Sequence, residues 1–112
     1  MSVDVKAQII DRLNQIYAAL SARLQALRPT TPDERAEADA LADARDEVRG
    51  QLRRLLDEGF AAAGADLKLA NHALGELTRR LDQTHQRLET TRTVLAITAE
   101  VIKVAAQVAR AL

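Results

Sequence analysis

The chain of 112 residues contains no cysteine, so disulfide bonds and thiol chemistry are excluded. It has no tryptophan, one tyrosine and one phenylalanine, which leaves too few aromatic rings to stack the bases of a single-stranded nucleic acid. The four glycines are too scattered to form a phosphate-binding loop. The hydrophobic core must therefore be built from aliphatic side chains and alanine.

Net charge is also absent, because sixteen basic and sixteen acidic side chains cancel. Binding to nucleic acid needs a surplus of positive charge, so we expect no such partner. The charge is nevertheless uneven. It is +2 over residues 1–32 (four basic, two acidic), −4 over residues 33–58 (five basic, nine acidic) and +2 over residues 59–112 (seven basic, five acidic). This distribution favours packing of the acidic middle against both ends, although exposed ion pairs add little energy.

The N-terminal stretch "MSVDVKAQII" lacks the charged region, apolar core and cleavage site of a signal peptide. We therefore expect a cytoplasmic protein. Its length is that of one domain, over residues 1–112.

Two helices are predicted in the first half of the chain. Apolar residues recur at steps of three and four from Ile9 to Leu27, which predicts helix 1 over about residues 3–28, ended by Pro29. The segment "TPDE" predicts the start of helix 2, with Thr31 as the cap, Pro32 in the first turn and Glu34 closing a capping box. This helix is predicted over about residues 32–59.

The remainder of the chain predicts a third and longer helix, over about residues 66–112. Apolar or small residues alternate at steps of three and four from Leu67 to Leu112, the pattern of a left-handed coiled coil. Such a helix would be roughly 70 Å long and would extend past helices 1 and 2. The predicted fold is therefore all-α, an antiparallel helical hairpin or three-helix bundle with a long, coiled-coil-like C-terminal helix.

The last twenty residues, "TVLAITAEVIKVAAQVARAL", have two apolar seams that together cover more than half of the helix. A helix that faces one partner needs an apolar arc of only about 100°. A membrane span is disfavoured because Glu100 and Lys103 lie in mid-segment, each costing on the order of 2.5–3.5 kcal/mol at a helix centre. We therefore expect burial by protein on two sides, one side facing the same chain and the other a second chain, with burial inside a self-contained bundle as an alternative.

These patterns predict a protein that oligomerises or binds a partner helix, as an adaptor or in a chaperone-like role, and that is not an enzyme. The alternative is an amphipathic protein of a membrane or lipid surface. The predicted interaction surface consists of Val94, Leu95, Ile97, Val101, Ile102, Val104, Val108 and Leu112.

Residues that could support other chemistry are few, and we predict no catalytic residue, metal or cofactor. Asp82, His85 and Glu89 share a helix face but lack the second copy that a di-iron bundle requires. The arginine clusters in "RGQLRRLL" and "TRRL" are expected to be solvated flanks that pair with the acidic second helix, or alternatively a patch that binds an anion or an acidic partner. Thr84, Thr91 and Thr98 recur every seven residues; their hydroxyls are expected to bond to the preceding turn, or alternatively to fix the register of a coiled coil.

Overall fold

A computed structural model describes residues 4–61, 64–86 and 90–109, and it describes residues 85 and 86 by their backbone alone. Over these ranges the chain is helical without strands. The helices are α1 (Val5–Ala26), α2 (Pro32–Glu58), α3 (Ala65–Gln86) and α4 (Thr91–Ala109). The prediction of an all-α chain is confirmed, but the described residues form four helices where three were predicted.

The predicted helix over residues 66–112 is replaced by α3 and α4, which pack against each other side by side. The two run antiparallel, because the residues that precede α3 meet the end of α4: Ala61 donates its backbone N–H to the carbonyl of Val108 at 2.9 Å. A heptad pattern specifies which face of a helix is buried, and it does not require that one helix carries the whole pattern. Because α4 folds back onto the bundle, its apolar face is buried, whereas a continuous helix of about 70 Å would expose that face to water.

Thr90 lies outside both helices and shows why α4 begins at this point. Its backbone carbonyl accepts from the N–H groups of Thr93 and Val94 at 3.1 and 3.3 Å, and its hydroxyl accepts from Thr93 at 3.4 Å. Threonine is a favoured cap and a weaker helix former than alanine or leucine. The threonine-rich segment "TTRT" was therefore the signal that the helical pattern is interrupted. Residues 87–89 of the predicted helix lie outside the described residues.

The helices form a bundle in which each contacts two others. Helix α1 packs against α2 and α3, and α4 packs against the same two helices from the other side. Helices α2 and α3 therefore lie diagonally opposite, joined by a connection that crosses one end of the bundle. Two glycines of that connection, Gly59 and Gly64, have φ angles of +87° and +59°, which residues with a Cβ adopt only with strain.

The cap predicted for α2 is present. Thr31 Oγ1 accepts from the backbone N–H of Glu34 at 3.1 Å, and Pro32 occupies the first turn. The Glu34 carboxylate reaches back one residue further than a capping box requires, since it accepts from Thr30 N at 3.3 Å. Helix α1 has a cap that the sequence interpretation did not assign, the carboxylate of Asp4, which accepts from Lys6 N and Ala7 N.

The core is aliphatic, as the composition indicates, and all four helices contribute to it. Every apolar position of the predicted repeat from Leu67 to Leu81 is buried, which confirms the face assigned to this part of the chain. Thr84 and Thr98 are buried with them. Their hydroxyls donate to the carbonyls of Leu81 and Val94 at 2.6 and 2.8 Å, so the expected bond to the preceding turn is confirmed for both.

Candidate interaction surface

Helix α4 lies between α2 and α3, and this position decides which of its apolar side chains stay accessible. The apolar arc of α4 is wide because this helix packs against both α2 and α3. Val94, Ile97, Val101 and Val108 are at most 2% exposed, so four of the eight residues predicted to bind a partner lie in the core of their own chain. Two-sided burial is therefore present, but the second side is covered by the same chain.

Three other residues of the predicted surface are only half-buried and pack at the edge of the core: Leu95, Ile102 and Val104. Leu95 and Ile102 are seven residues apart and lie on one side of α4, whereas Val104 lies on another. Leu112, the last residue of the predicted surface, lies outside the described residues. Binding of a second chain to this surface remains a prediction, and these three side chains are the part of it that α4 leaves accessible.

Ile102 faces a groove between α4 and α2. The wall contributed by α2 is polar and acidic, and consists of Asp43, Asp46, Glu47, Gly50 and Gln51. The three acidic side chains are exposed. Asp46 pairs with Arg45 at 3.2 Å, whereas Asp43 and Glu47 form no salt bridge within the described part of the chain.

Val104 faces a second groove, between the end of α4 and the start of α3. This groove is lined by Asp66, Leu69, Ala70, Ala73, Val104, Gln107 and Val108. Leu69 is 69% exposed, the more exposed of the two large hydrophobic residues found at the surface of the described chain; the other is Leu56. The sequence interpretation missed Leu69, although a leucine outside the buried series at Leu67, Ala70 and Leu74 was a signal that it lies at the surface.

A mostly apolar cavity lies at the opposite end of the bundle, where α1 and α3 end and α4 begins. Its lining consists of Ala19, Leu20, Ala22, Arg23, Leu81, Asp82, Thr84 and Val94. Thr84, the polar group among its buried residues, already donates its hydroxyl to Leu81. Arg23 and Asp82 supply the charges of this cavity, and among the described side chains no polar group points to a particular ligand.

The groups considered for metal binding do not form a site in the described residues, where no cluster of three histidine, cysteine, aspartate or glutamate side chains could hold an ion. Asp82 is exposed. Glu89 and the side chain of His85 lie outside the described residues.

One arginine of each cluster pairs with a carboxylate of its own helix, and the pair in α3 does not involve the acidic second helix. Arg54 bonds to Glu58 at 3.2 Å within α2, and Arg79 bonds to Glu76 within α3. Such exposed pairs contribute about 0.2–1 kcal/mol. Within the ranges that the structure describes, no helix is long and apolar enough to cross a bilayer.

Comparison with protein-family models, with curated proteins and with solved structures finds no match for this chain. The functional interpretation therefore depends on the surface of the bundle itself.

Proposed function

We propose that this chain is a non-enzymatic helical protein that assembles with itself or binds a helix of a partner protein through the flanks of α4. The cytoplasmic location expected from the sequence belongs to the same proposal, as does a role as an adaptor or as a chaperone-like cover for another helix. The observation that supports it is the half-buried state of Leu95, Ile102 and Val104, two of which line the grooves beside α4.

The physical driving force would be burial of these side chains under a second helix. Complete burial of an aliphatic side chain contributes about 1.5–3 kcal/mol, and a side chain already half-buried contributes roughly half of that. A stable interface needs about 800 Å² from each partner, more than three side chains supply. The partner helix must therefore also contact the polar walls of the grooves, which would select the partner by charge.

The first test is the solution mass, measured by light scattering on a sizing column over a range of protein concentrations. A dimer or tetramer that dissociates in the Ile102→Thr, Val104→Thr variant would support self-assembly through α4. Both substitutions keep a β-branched side chain, and helix content measured by circular dichroism reports whether the fold is retained. The matched control is Ala96→Ser, Ala99→Ser, which adds two hydroxyls at exposed positions of the same helix and should leave the mass unchanged.

If the protein is a monomer at every concentration, the proposal is tested as binding to a partner helix. The same variants are then compared for binding to helical peptides and to anionic phospholipid vesicles. Peptide binding that the α4 variant loses supports the proposal. Binding to vesicles alone would replace it with the lipid-surface alternative, and binding to neither would contradict both.

A further inference from the structure

We propose that the groove between α2 and α4 docks a basic amphipathic helix of a partner protein. This inference rests on the proposed function and adds the chemistry of the partner. It depends on three features that meet in one groove: an acidic wall on α2, the side chain of Ile102 on α4 and an open space beside Gly50.

The acidic wall lacks enough positive charge of its own. Asp43 and Glu47 are four residues apart on α2, and like charges at this spacing repel and destabilise a helix. Asp46 lies on the same face, and its ion pair in the described chain is with the adjacent residue, Arg45. Because Asp43 and Glu47 have no ion pair in the described chain, lysine or arginine side chains of a bound helix would relieve the repulsion.

Gly50 indicates that a partner could approach closely at this point. A glycine inside a helix destabilises the helix relative to alanine, so its presence calls for a reason. Packing within the chain supplies none, since a Cβ built on Gly50 has no atom within 4 Å. The space that a side chain would fill is instead free beside Ile102, where an aliphatic residue of a bound helix fits.

Gln51 also lines this groove. Its Oε1 atom is buried and accepts no hydrogen bond among the described residues. The groove thus combines exposed carboxylates with the aliphatic side chain of Ile102, which matches a helix that carries lysine or arginine beside aliphatic residues.

The experiment is a selection of helical peptides, displayed from a library with randomised surface positions, against the intact protein at low salt. The expected peptides carry lysine or arginine next to an aliphatic stripe. Their affinity should fall about tenfold or more for the Asp43→Asn, Asp46→Asn, Glu47→Gln variant, because three charge pairs are lost. The matched control, Asp11→Asn, Asp82→Asn, Glu100→Gln, removes the same charge from exposed residues outside this groove and should bind as the native chain does.

A second variant, Gly50→Leu, tests the open space without a risk to the fold, because leucine favours the helix and meets no neighbouring atom. It should abolish binding of the selected peptides. Equal binding by the native chain and both groove variants would overturn the inference. Peptides that are not basic but lose affinity for the Ile102→Thr, Val104→Thr variant would overturn it while leaving the proposed function standing. Failure to select any peptide, together with a monomeric mass, would contradict both.

Discussion

At the scale of single residues, a polar cluster between α1 and α3 fixes how these two helices are aligned. Asn71 accepts from Arg12 Nε at 2.8 Å and donates to Gln8 Oε1 at 2.6 Å. The Arg12 guanidinium lies directly over Gly75, where a Cβ would approach its Cζ to 2.9 Å. Gly75 therefore leaves room for a side chain of its own protein, whereas Gly50 leaves room that the protein does not use.

This contact predicts an energetic coupling between Gly75 and Arg12. In an Arg12→Ala background, Gly75→Ala should raise the free energy of unfolding by about 1 kcal/mol through helix propensity. In the native background the new methyl group must shift the end of the flexible Arg12 side chain, and weakening of its hydrogen bond to Asn71 should reduce this gain. Urea unfolding of the four proteins, followed by circular dichroism, measures the coupling. An identical effect of Gly75→Ala in both backgrounds would show that the contact carries no energy.

At the scale of helices, sequence patterns could predict the buried faces better than the connections. The series from Leu67 to Thr84 and the Thr31 cap follow from local spacing, and both are present. The break before α4 could not be predicted from the repeat, because folding back depends on contacts between α4 and the distant α2. The acidic wall beside Ile102 was missed for the same reason, since spacing within α2 does not reveal which helix lies next to it.

The antiparallel pairing of α3 and α4 predicts a crosslink within one chain. Ala73 and Val104 line the same groove, whereas a continuous helix would separate residues 31 positions apart by roughly 46 Å. The chain has no native cysteine, so the Ala73→Cys, Val104→Cys variant can be treated with a short bismaleimide. We expect an intramolecular product, detected by its mass and by a peptide that joins the two sites.

The matched control for this crosslink is the pair Ala73→Cys, Ala96→Cys. Ala96 lies eight residues from Val104, about 12 Å along the axis of α4, and should react with its own reagent molecule without joining Ala73. Crosslinks only between different chains in the first variant would argue for an extended C-terminal helix that pairs with another copy.

At the scale of the whole molecule, the core cannot be divided between two independent halves. Helix α4 contributes Val94, Ile97, Val101, Ala105 and Val108 to the buried cluster, and it covers faces of both α2 and α3. The bundle therefore depends on α4 for its fold as well as for the proposed interaction.

Deletion of residues 93–112 should accordingly abolish cooperative unfolding, because the apolar faces of α2 and α3 lose their cover. Thermal denaturation followed by circular dichroism measures this, and a broad, non-sigmoidal loss of helix is the expected result. Substitution of the exposed Arg92, Glu100 and Lys103 by alanine alters the same helix without touching the core and should retain a sigmoidal transition. A sharp transition in the truncated chain would show that α1, α2 and α3 form a complete fold.

The connection across the bundle brings the first turn of α1 and the last turn of α4 to the same end of the molecule. Lys6 lies over the ring of Phe60, 5.8 Å from its centroid, and the next residue, Ala61, bonds to Val108. A mechanical load applied between these two turns would therefore separate α1 and α4 from the bundle one turn at a time. Such a load does not shear the helices past one another along their full length. Tension applied between these two turns should therefore open the bundle at low force, beginning at Phe60.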